Sequence, residues 1–223
     1  MSRTYAIPDI HGRLDLLEMA IDTIARHAVG HSGTIVTLGD YIDRGPSSRQ
    51  VVERLMGWKL EGFEIVNLKG NHEAMMLAVC KAQAELEWWT RNGGSLTLAS
   101  YDEASGRPDL RELPRTHLEW MDNLRVLHVD QYRVYVHAAV DASVSLNAQK
   151  EEILLWRRYP RGADRGYGRR YVVHGHDADP DGPFVGKRRA NLDVQAWKTG
   201  RLAIGVFDDG RPGGPVEILE VSA

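Results

Sequence analysis

The first seventy or so residues alternate short apolar runs with amphipathic stretches, and this pattern constrains the fold more than any other feature of the chain. The runs Thr4–Ile7, Thr34–Leu38 and Phe63–Leu68 are too short for helices and contain β-branched residues, which is typical of strands. Between them, apolar residues recur at helical spacing, first at Leu14, Leu17, Ile21 and Ile24 and then within Ser48–Leu60. Strands that alternate with helices predict a parallel sheet with right-handed crossovers, in which chemistry collects beyond the carboxyl ends of the strands.

The remainder of the chain divides into a helical segment and a second set of strands. Residues 73–123 are predicted to be mostly helical, and we expect this insertion to form a cap or side wall of a site. From Arg125 onward, short apolar runs separated by Gly, Pro and Asp predict strands, beginning with a hairpin. These runs are Val126–Val129, Arg133–Val136, Tyr171–Val173, Asn191–Val194, Leu202–Phe207 and Val216–Val221. Because the sequence contains no repeat and no linker, we predict one domain over residues 1–223.

The composition excludes several classes of protein. Hydrophobic residues make up 43% and charged residues 26% of the 223 positions, which is typical of a globular chain and not of a disordered one. The net charge of −3 gives no global field for binding a polyanion, so a nucleic acid is not the expected partner. Cys80 is the only cysteine, which excludes an internal disulfide and a cysteine-cluster zinc site, and we expect it in the core. With neither a membrane span nor a secretory apolar run, we expect a cytoplasmic protein.

Polar clusters follow the three N-terminal strands directly, and two histidines end later strands. The clusters are Asp9-Ile10-His11-Gly12, Gly39-Asp40-Tyr41-Ile42-Asp43-Arg44-Gly45 and Gly70-Asn71-His72-Glu73, and the later histidines are His137 and His176. Carboxylate, imidazole and amide groups on neighbouring loops are suitable ligands for divalent ions such as Mn²⁺, Fe²⁺ or Zn²⁺. Each cluster alone is a weak signal, but their joint placement at strand ends predicts a metal site.

The motifs DIHG, GDYIDRG and GNHE, followed by a strand-end His and a final Gly-His, resemble those of the phosphoprotein phosphatases, a family of calcineurin-like metallophosphoesterases. The compact serine/threonine phosphatases of bacteria and bacteriophage lambda have the most similar pattern. The resemblance implies an α/β fold in which two mixed sheets form a β-sandwich flanked by helices, with a two-metal site at the strand ends and the segment 73–123 as a helical insertion.

The resemblance also implies roles for individual residues. The first metal ligands would be Asp9, His11 and Asp40, and the second set would be Asp40, Asn71, His137 and His176, with Asp40 bridging. His72 would be the general acid, with Asp43 orienting it. Arg44, Asn71 and Arg158 would bind phosphate oxygens, with Arg157 as the alternative to Arg158. We expect two divalent metal ions, Mn²⁺ first, with Fe, Zn, Ni or Co as alternatives.

The expected activity is the hydrolysis of phosphomonoesters, above all those of phosphoserine and phosphothreonine proteins, by direct attack of a hydroxide that bridges the two ions. The expected partner is therefore a phosphoprotein or a small phosphoester, and not a membrane. A symmetrical diadenosine tetraphosphate hydrolase is the alternative within the family. A phosphodiesterase or nuclease has little support from the net charge. A non-catalytic metal-binding regulator is suggested only by Pro8, where the family has glycine.

Two segments admit a structural or a functional interpretation. Arginines are concentrated between Arg157 and Arg170, where they would form either a solvated loop or a basic lip beside the site. Trp88, Trp89 and Asn92-Gly93-Gly94 would either stack a nucleobase or pack in the interior, and helical spacing favours packing. After the final Gly-His, relatives often carry N-x-D-T-G, whereas this chain has Asn-Leu-Asp-Val-Gln at positions 191–195.

Overall fold

In the computed structural model, which describes residues 2–102 and 109–223, the strands form two mixed β-sheets packed face to face. The strands are β1 (Ser2–Ile7), β2 (Ser32–Thr37), β3 (Phe63–Asn67), β4 (Leu127–Val129), β5 (Arg133–Val136), β6 (Tyr171–His174), β7 (Phe184–Val185), β8 (Arg189–Asn191), β9 (Arg201–Asp208) and β10 (Glu217–Ser222). The helices are α1 (Leu14–His27), α2 (Ser48–Gly57), α3 (Asn71–Cys80), α4 (Leu86–Trp89), α5 (Ser95–Tyr101), α6 (Arg115–Asp122), α7 (Glu151–Trp156) and α8 (Ala196–Thr199). A π-helical turn, Thr90–Gly94, joins α4 to α5. Within the described ranges no helix has both the length and the apolar composition needed to cross a membrane.

Both sheets combine parallel and antiparallel strands. The first sheet has the order β10-β9-β1-β2-β3, in which β1, β2 and β3 are parallel and β9 and β10 are antiparallel. The second has the order β4-β5-β6-β8-β7, in which β5, β6 and β8 are parallel. This architecture confirms the α/β fold of two mixed sheets flanked by helices that the family resemblance implied.

Neighbouring residues on one strand pack into different layers of the core. On β1, Tyr5 and Ile7 pack against the helices that cover the first sheet, whereas Ala6 lies between the two sheets. On β2, Ile35 and Val36 divide in the same way. Because both faces of these strands are buried, their sequences are apolar runs without polar alternation, and such runs are recognisable as strands.

The predicted elements agree with the structure except after the final Gly-His motif, Gly175-His176. The first three strands, the first two helices and the hairpin of β4 and β5 are confirmed. The predicted strand Asn191–Val194 is wrong in its position, because the strand is Arg189–Asn191 and the chain then turns at Gln195, where φ is 59°. The two-residue strand β7 was not predicted. Residues 73–102 and 109–123 are mainly helical, as the sequence predicts for this segment. Residues 103–108 lie outside the described part of the chain.

The buried carboxylate of Glu73 joins the loop after β2 to the start of α3. Its Oε2 accepts the backbone N–H groups of Gly70 at 2.8 Å and Asp40 at 2.9 Å, and its Oε1 accepts that of Tyr41 at 2.8 Å. Burial, followed by the charge of Asp40, raises the pKa of Glu73 to about 7, and the N–H groups of Gly70 and Tyr41 act in the opposite direction. The side chain of Glu73 therefore holds the two loops together, and the Asp40 carboxylate adds a further bond from the N–H of His72 at 3.0 Å.

Replacing Glu73 with glutamine should destabilise the metal-free protein by about 2–4 kcal/mol, because the new amide would turn N–H donors toward backbone N–H groups. Chemical denaturation followed by circular dichroism would measure the change in free energy of unfolding. Glu87→Gln is the matched control, since Glu87 is exposed and pairs with Arg91 on the same short helical segment, and it should change stability by less than about 0.5 kcal/mol. Equal destabilisation by the two variants would contradict this role of Glu73.

Candidate metal centre

The loops after β1, β2, β3, β5 and β6 converge on one cavity of about 500 Å³. Seven of the residues proposed from the sequence line it, namely Asp9, Asp40, Arg44, Asn71, His72, Arg158 and His176. The first two loops are also joined through their backbones, since the N–H groups of Ile10 and His11 donate to the carbonyl of Asp40 at 3.0 and 2.9 Å. The loop of Asp9 is therefore attached to the loop of Asp40 even though Pro8 stands where the family has glycine.

Asp40 lies between two groups of histidines. Its Oδ2 is 3.5 Å from Nε2 of His11 and 3.8 Å from Nε2 of His72, and its Oδ1 is 3.5 Å from Nε2 of His137. Among the described residues, two sets offer ligand atoms within 4.8 Å of one another, and these are His11-Asp40-His72 and Asp40-His137-His176. Asp40 belongs to both sets, which is the placement expected of a bridging ligand.

The backbone hydrogen bonds of His11 and His137 engage Nδ1, so Nε2 is the nitrogen that can bind a metal ion; in His11 the ion would replace Nη1 of Arg44, which lies 2.9 Å from Nε2. Nδ1 of His11 is 2.8 Å from the carbonyl of Ile42, and Nδ1 of His137 is 2.9 Å from that of Leu38. A carbonyl only accepts, so Nδ1 carries the proton in both rings and Nε2 presents its lone pair toward Asp40. Burial lowers the pKa of His11 well below its usual range and that of His137 to about 4, so both imidazoles are neutral, as metal binding requires.

Asn71 completes the second set. Its Oδ1 lies 2.8 Å from Nε2 of His137 and 3.1 Å from Nδ1 of His176. Burial, with a further contribution from the charge of Arg158, lowers the pKa of His176 to about 4. An amide oxygen and two neutral imidazoles thus face one point beside Asp40.

Asp9 is placed differently from the other predicted ligands. Its two carboxylate oxygens accept the backbone N–H of His176 at 3.1 and 3.3 Å, and Asp9 belongs to neither set of three. Burial, followed by the charges of Asp193 and Asp40, raises the pKa of Asp9 well above its usual range. A Cβ on Gly175 would lie 2.0 Å from Oδ1 of Asp9, so the close approach of this loop requires glycine.

The donor set fits two divalent cations. Burial, followed by the charges of Asp193 and Asp40, raises the pKa of Asp9, and a positive charge nearby would stabilise these carboxylates; neutral imidazoles and an amide oxygen complete a ligand set of borderline character. Asp193 contributes to this acidic cluster but was not proposed from the sequence, because it was assigned to the interior of a strand. Asp193 lies just beyond the end of β8, which is the same kind of strand-end position as those of Asp9 and Asp40.

The backbone at the site is held in uncommon conformations. Of the described non-glycine residues with positive φ, five are residues proposed for the site: His11, Asp40, Asp43, Arg44 and His176, with φ between 47° and 71°. A non-glycine residue in this left-handed region costs about 1–3 kcal/mol and persists where surrounding contacts over-determine it. Such conformations concentrate at functional sites, and here they aim side chains from tight loops into one cavity.

His72 belongs to the first set by distance, but its Nδ1 is paired with the buried carboxylate of Asp43. Nδ1 of His72 is 2.6 Å from Oδ2 of Asp43, and both residues are at most 1% exposed. Burial alone would lower the pKa of His72, but the charge of Asp40 and the hydrogen bond with Asp43 outweigh it and raise the pKa. The ring is therefore suited to carry a proton near neutral pH.

The two arginines proposed for phosphate binding both line the cavity. Nη1 of Arg44 is 2.9 Å from Nε2 of His11, and its guanidinium lies 5.8 Å from the ring centroid of Trp197. The side chain of Arg158 is 65% exposed and pairs with Asp177 at 3.7 Å. Arg157 lines a neighbouring cavity with Val140 to Ser143 instead, so of the two alternatives the geometry places Arg158 at the candidate site.

Several cavity residues were not proposed for the site from the sequence. They are Trp156, Ala178, Gln195 and Trp197, whereas Asn92 was considered only as part of a possible cap. Trp88 and Trp156 stack at the rim with their ring centroids 6.1 Å apart, and they are 42% and 38% exposed. Trp89 is fully buried and packs in the interior, which is the interpretation that the helical spacing favours. Trp88 is not buried in the interior.

A model of the calcineurin-like phosphoesterases matches residues 2–198 of the chain. A symmetrical bis(5′-nucleosyl)-tetraphosphatase from Nitrosospira multiformis is 28% identical over 160 residues, which make up 72% of this chain and 52% of that relative. The chain thus spans about half the length of the curated relative that it matches.

Solved structures share the fold at low sequence identity. The structure of a candidate diadenosine tetraphosphatase is 21% identical with a TM-score of 0.67, and the match covers 99% of this chain and 93% of that one. A protein serine/threonine phosphatase from Saccharomyces cerevisiae is 13% identical with a TM-score of 0.63, covering 100% of this chain and 80% of that one. At these identities the likeness establishes the common fold and not a common substrate.

The ligand geometry predicts that the chelator-treated protein takes up two Mn²⁺ ions per chain, and that Asp40→Asn loses both because Asp40 faces both sets. His137→Ala should lose one ion, since its ring belongs to the second set only. Isothermal titration and metal analysis after gel filtration would measure the stoichiometry. His27→Ala, which removes a histidine paired with Glu217 away from the cavity, is the control. Full uptake by Asp40→Asn would contradict the bridging placement.

Proposed function

The chain belongs to the calcineurin-like phosphoesterase family, and from that premise we propose that it is a two-metal hydrolase of nucleoside polyphosphates. The observation that carries the proposal is the combination, in one cavity, of the two ligand sets with Arg158 and the indole of Trp156. Symmetrical dinucleoside tetraphosphates are the first substrates to consider, because the matched relative from Nitrosospira multiformis is named for that activity. Water would add to phosphorus while the bond to the bridging oxygen breaks.

Two bound metal ions would lower the pKa of a water molecule and withdraw charge from the phosphoryl oxygens. The side chains proposed to hold the ions are Asp9, His11, Asp40, Asn71, His137 and His176. Asn71 is also proposed to contact a phosphate oxygen, because it lines the open cavity as well as facing the histidines.

The arginines would neutralise the charge that develops on the phosphoryl oxygens. The N–H of Arg44 donates to the carbonyl of Gly93 at 3.3 Å and its guanidinium lies 5.8 Å from the ring centroid of Trp197, so Arg44 would offer a pre-positioned guanidinium at little cost in conformational entropy. Arg158 is exposed and held only by its ion pair with Asp177, so it can exchange that partner for a phosphate. One fixed and one exposed cation would therefore contact the substrate in the same cavity.

His72 would donate a proton to the leaving oxygen. Its Nδ1 is engaged by Asp43, which leaves Nε2 as the atom that faces the cavity, and its raised pKa favours the protonated ring at neutral pH. No nucleophilic side chain is required, because the attacking group is water.

The stacked tryptophans at the rim support a nucleotide rather than a phosphoprotein. An exposed indole offers a flat surface on which a purine can stack, and stacking of this kind contributes about 1–3 kcal/mol per base. The Trp88–Trp156 pair stands beside Arg158, so a base on the indoles and a phosphate on the guanidinium would belong to one ligand.

Hydrolysis of phosphoserine and phosphothreonine proteins remains the second candidate. The exposed arginines near the cavity, Arg158 and Arg161, favour an acidic phosphopeptide, because they would attract it over a longer range than neutral groups could. The fold shared with the yeast phosphatase is compatible with this function without selecting it.

A competition assay should rank diadenosine tetraphosphate first by kcat/KM when the Mn²⁺-loaded protein is offered that nucleotide, a phosphoserine peptide and a phosphodiester at equal concentrations. The reason is that only the nucleotide can engage both the indole pair and the arginines. Chromatography of the products would identify ADP as the product of symmetrical cleavage. A phosphopeptide ranked first would reverse the order of the two candidates.

Trp88→Leu provides the control for this ranking. This substitution removes the indole that stacks on Trp156 and leaves the metal ligand sets unchanged. The value of kcat/KM for the dinucleotide should therefore fall about tenfold, while that for p-nitrophenyl phosphate should stay within about twofold of the wild type. Equal losses for both substrates would show that Trp88 acts on the fold of the cavity and not on the base.

Arg158→Ala should raise KM and weaken competitive inhibition by inorganic phosphate by about tenfold, with a smaller effect on kcat, because Arg158 is proposed to bind phosphate before the reaction. Arg157→Ala is the matched control, since Arg157 is the adjacent exposed arginine and lines a different cavity. Steady-state kinetics with phosphate as inhibitor would separate them. A stronger effect of Arg157→Ala would transfer the role to that residue.

A further inference from the structure

The buried carboxylate of Asp43 is held by side chains from the helical insertion as well as by His72. The indole N–H of Trp89 donates to Oδ2 at 2.8 Å, and the hydroxyl of Thr97 donates to Oδ1 at 2.6 Å. Oδ2 is also the oxygen that lies 2.6 Å from Nδ1 of His72. Both carboxylate oxygens therefore have a fixed donor besides the histidine, and the carboxylate cannot rotate without breaking a buried hydrogen bond.

The same segment supports the backbone on which Asp43 stands. The N–H of Asp43 is shared between the hydroxyls of Thr97 at 2.8 Å and Ser48 at 3.0 Å, and the N–H of Arg44 donates to the carbonyl of Gly93 at 3.3 Å. Asp43 and Arg44 have φ of 71° and 68°, a conformation that needs support from its surroundings.

The Gly-Gly pair in the insertion is explained by these contacts. Gly93 has a φ of 109°, and a Cβ there would lie 2.8 Å from the backbone nitrogen of Arg44. A Cβ on Gly94 would lie 2.5 Å from the ring of Trp89. One glycine lets the turn approach the Arg44 loop, and the other makes room for the indole.

We propose that Trp89 and Thr97 are positioning residues for the proton donor, holding the Asp43 carboxylate so that His72 directs its Nε2 into the cavity. This inference rests on the proposed function, in which His72 protonates the leaving oxygen. The two residues come from α4 and α5, so the helical insertion would act on the chemistry from behind His72 as well as lining the cavity through Asn92.

The test uses variants of the full chain loaded with Mn²⁺ and two phosphomonoesters that differ in leaving group. Trp89→Phe removes the indole N–H, Thr97→Val removes the hydroxyl, and Thr97→Ser retains it. For phenyl phosphate, whose leaving oxygen needs a proton, kcat should fall about 10- to 100-fold in Trp89→Phe and Thr97→Val. For 2,4-dinitrophenyl phosphate, which leaves without a proton, kcat should fall by less than about threefold, with KM and metal content unchanged.

Thr97→Ser should restore kcat for phenyl phosphate to near the wild-type value. Tyr101→Phe is the matched control, because it removes another buried hydroxyl from α5, one that bonds to His117 and not to Asp43. Equal falls with both esters in Trp89→Phe and Thr97→Val, or no fall with either, would overturn the proposal. If Trp89→Phe does not fold, the Thr97→Val and Thr97→Ser pair decides the question.

A second measurement separates this inference from the proposed function. The Nδ1–H proton of His72, shared with Asp43, should give a far-downfield resonance in the NMR spectrum of the wild-type protein loaded with diamagnetic Zn²⁺ in place of Mn²⁺. That resonance should move in Trp89→Phe and Thr97→Val and stay in place in Tyr101→Phe. If the wild type cleaves no phosphate ester, the proposed function fails, and the resonance still reports on positioning. An unmoved resonance in both variants would overturn the inference by itself.

Discussion

One buried carboxylate connects the parts of the molecule from which the candidate site is built. Glu73 lies on the first turn of α3 and accepts backbone N–H groups from Gly70, Asp40 and Tyr41, so the ends of β2 and β3 are joined through its two oxygens. The backbone carbonyl of Asp40 in turn accepts two N–H groups from the loop after β1. Three loops that are distant in sequence are thereby held at fixed spacing. The placement of Asp40 between the histidines depends on this arrangement.

The site collects charge that a protein interior would otherwise disfavour. Asp9, Asp40 and Asp193 are each at most 3% exposed, and their proximity raises the pKa of Asp9. Burying carboxylates near one another costs free energy unless positive charge compensates for it. The left-handed backbone at His11, Asp40 and His176 adds a further cost. A cluster that is unfavourable in two ways, yet is built from four separate loops, is better explained by a bound ligand than by stability.

Two adjacent tryptophans of the helical insertion lie in different environments. Trp88 is exposed and stacks with Trp156 at the rim, whereas Trp89 is fully buried and donates to Asp43. The four-residue helix α4 and the π-helical turn that follows it make this division possible, because neighbouring side chains on a short helix point in different directions. The insertion therefore connects the proposed base-binding surface at the rim to the carboxylate behind His72.

The sequence by itself determined the alternating strands and helices of the N-terminal part, the strand-end position of the polar motifs and the family to which those motifs belong. Strands such as β1 and β2 are buried on both faces, so they remain recognisable as apolar runs. Only the tertiary structure decided which residues meet across the fold. Asp193 was placed in a strand interior because the three-residue strand β8 and the turn after it leave no periodic signal. Trp88 and Trp89 cannot be told apart by composition. The orientation of Asp9 toward the N–H of His176, the place of Arg158 on the cavity and the contact of Thr97 with Asp43 all depend on long-range packing, which no local pattern encodes.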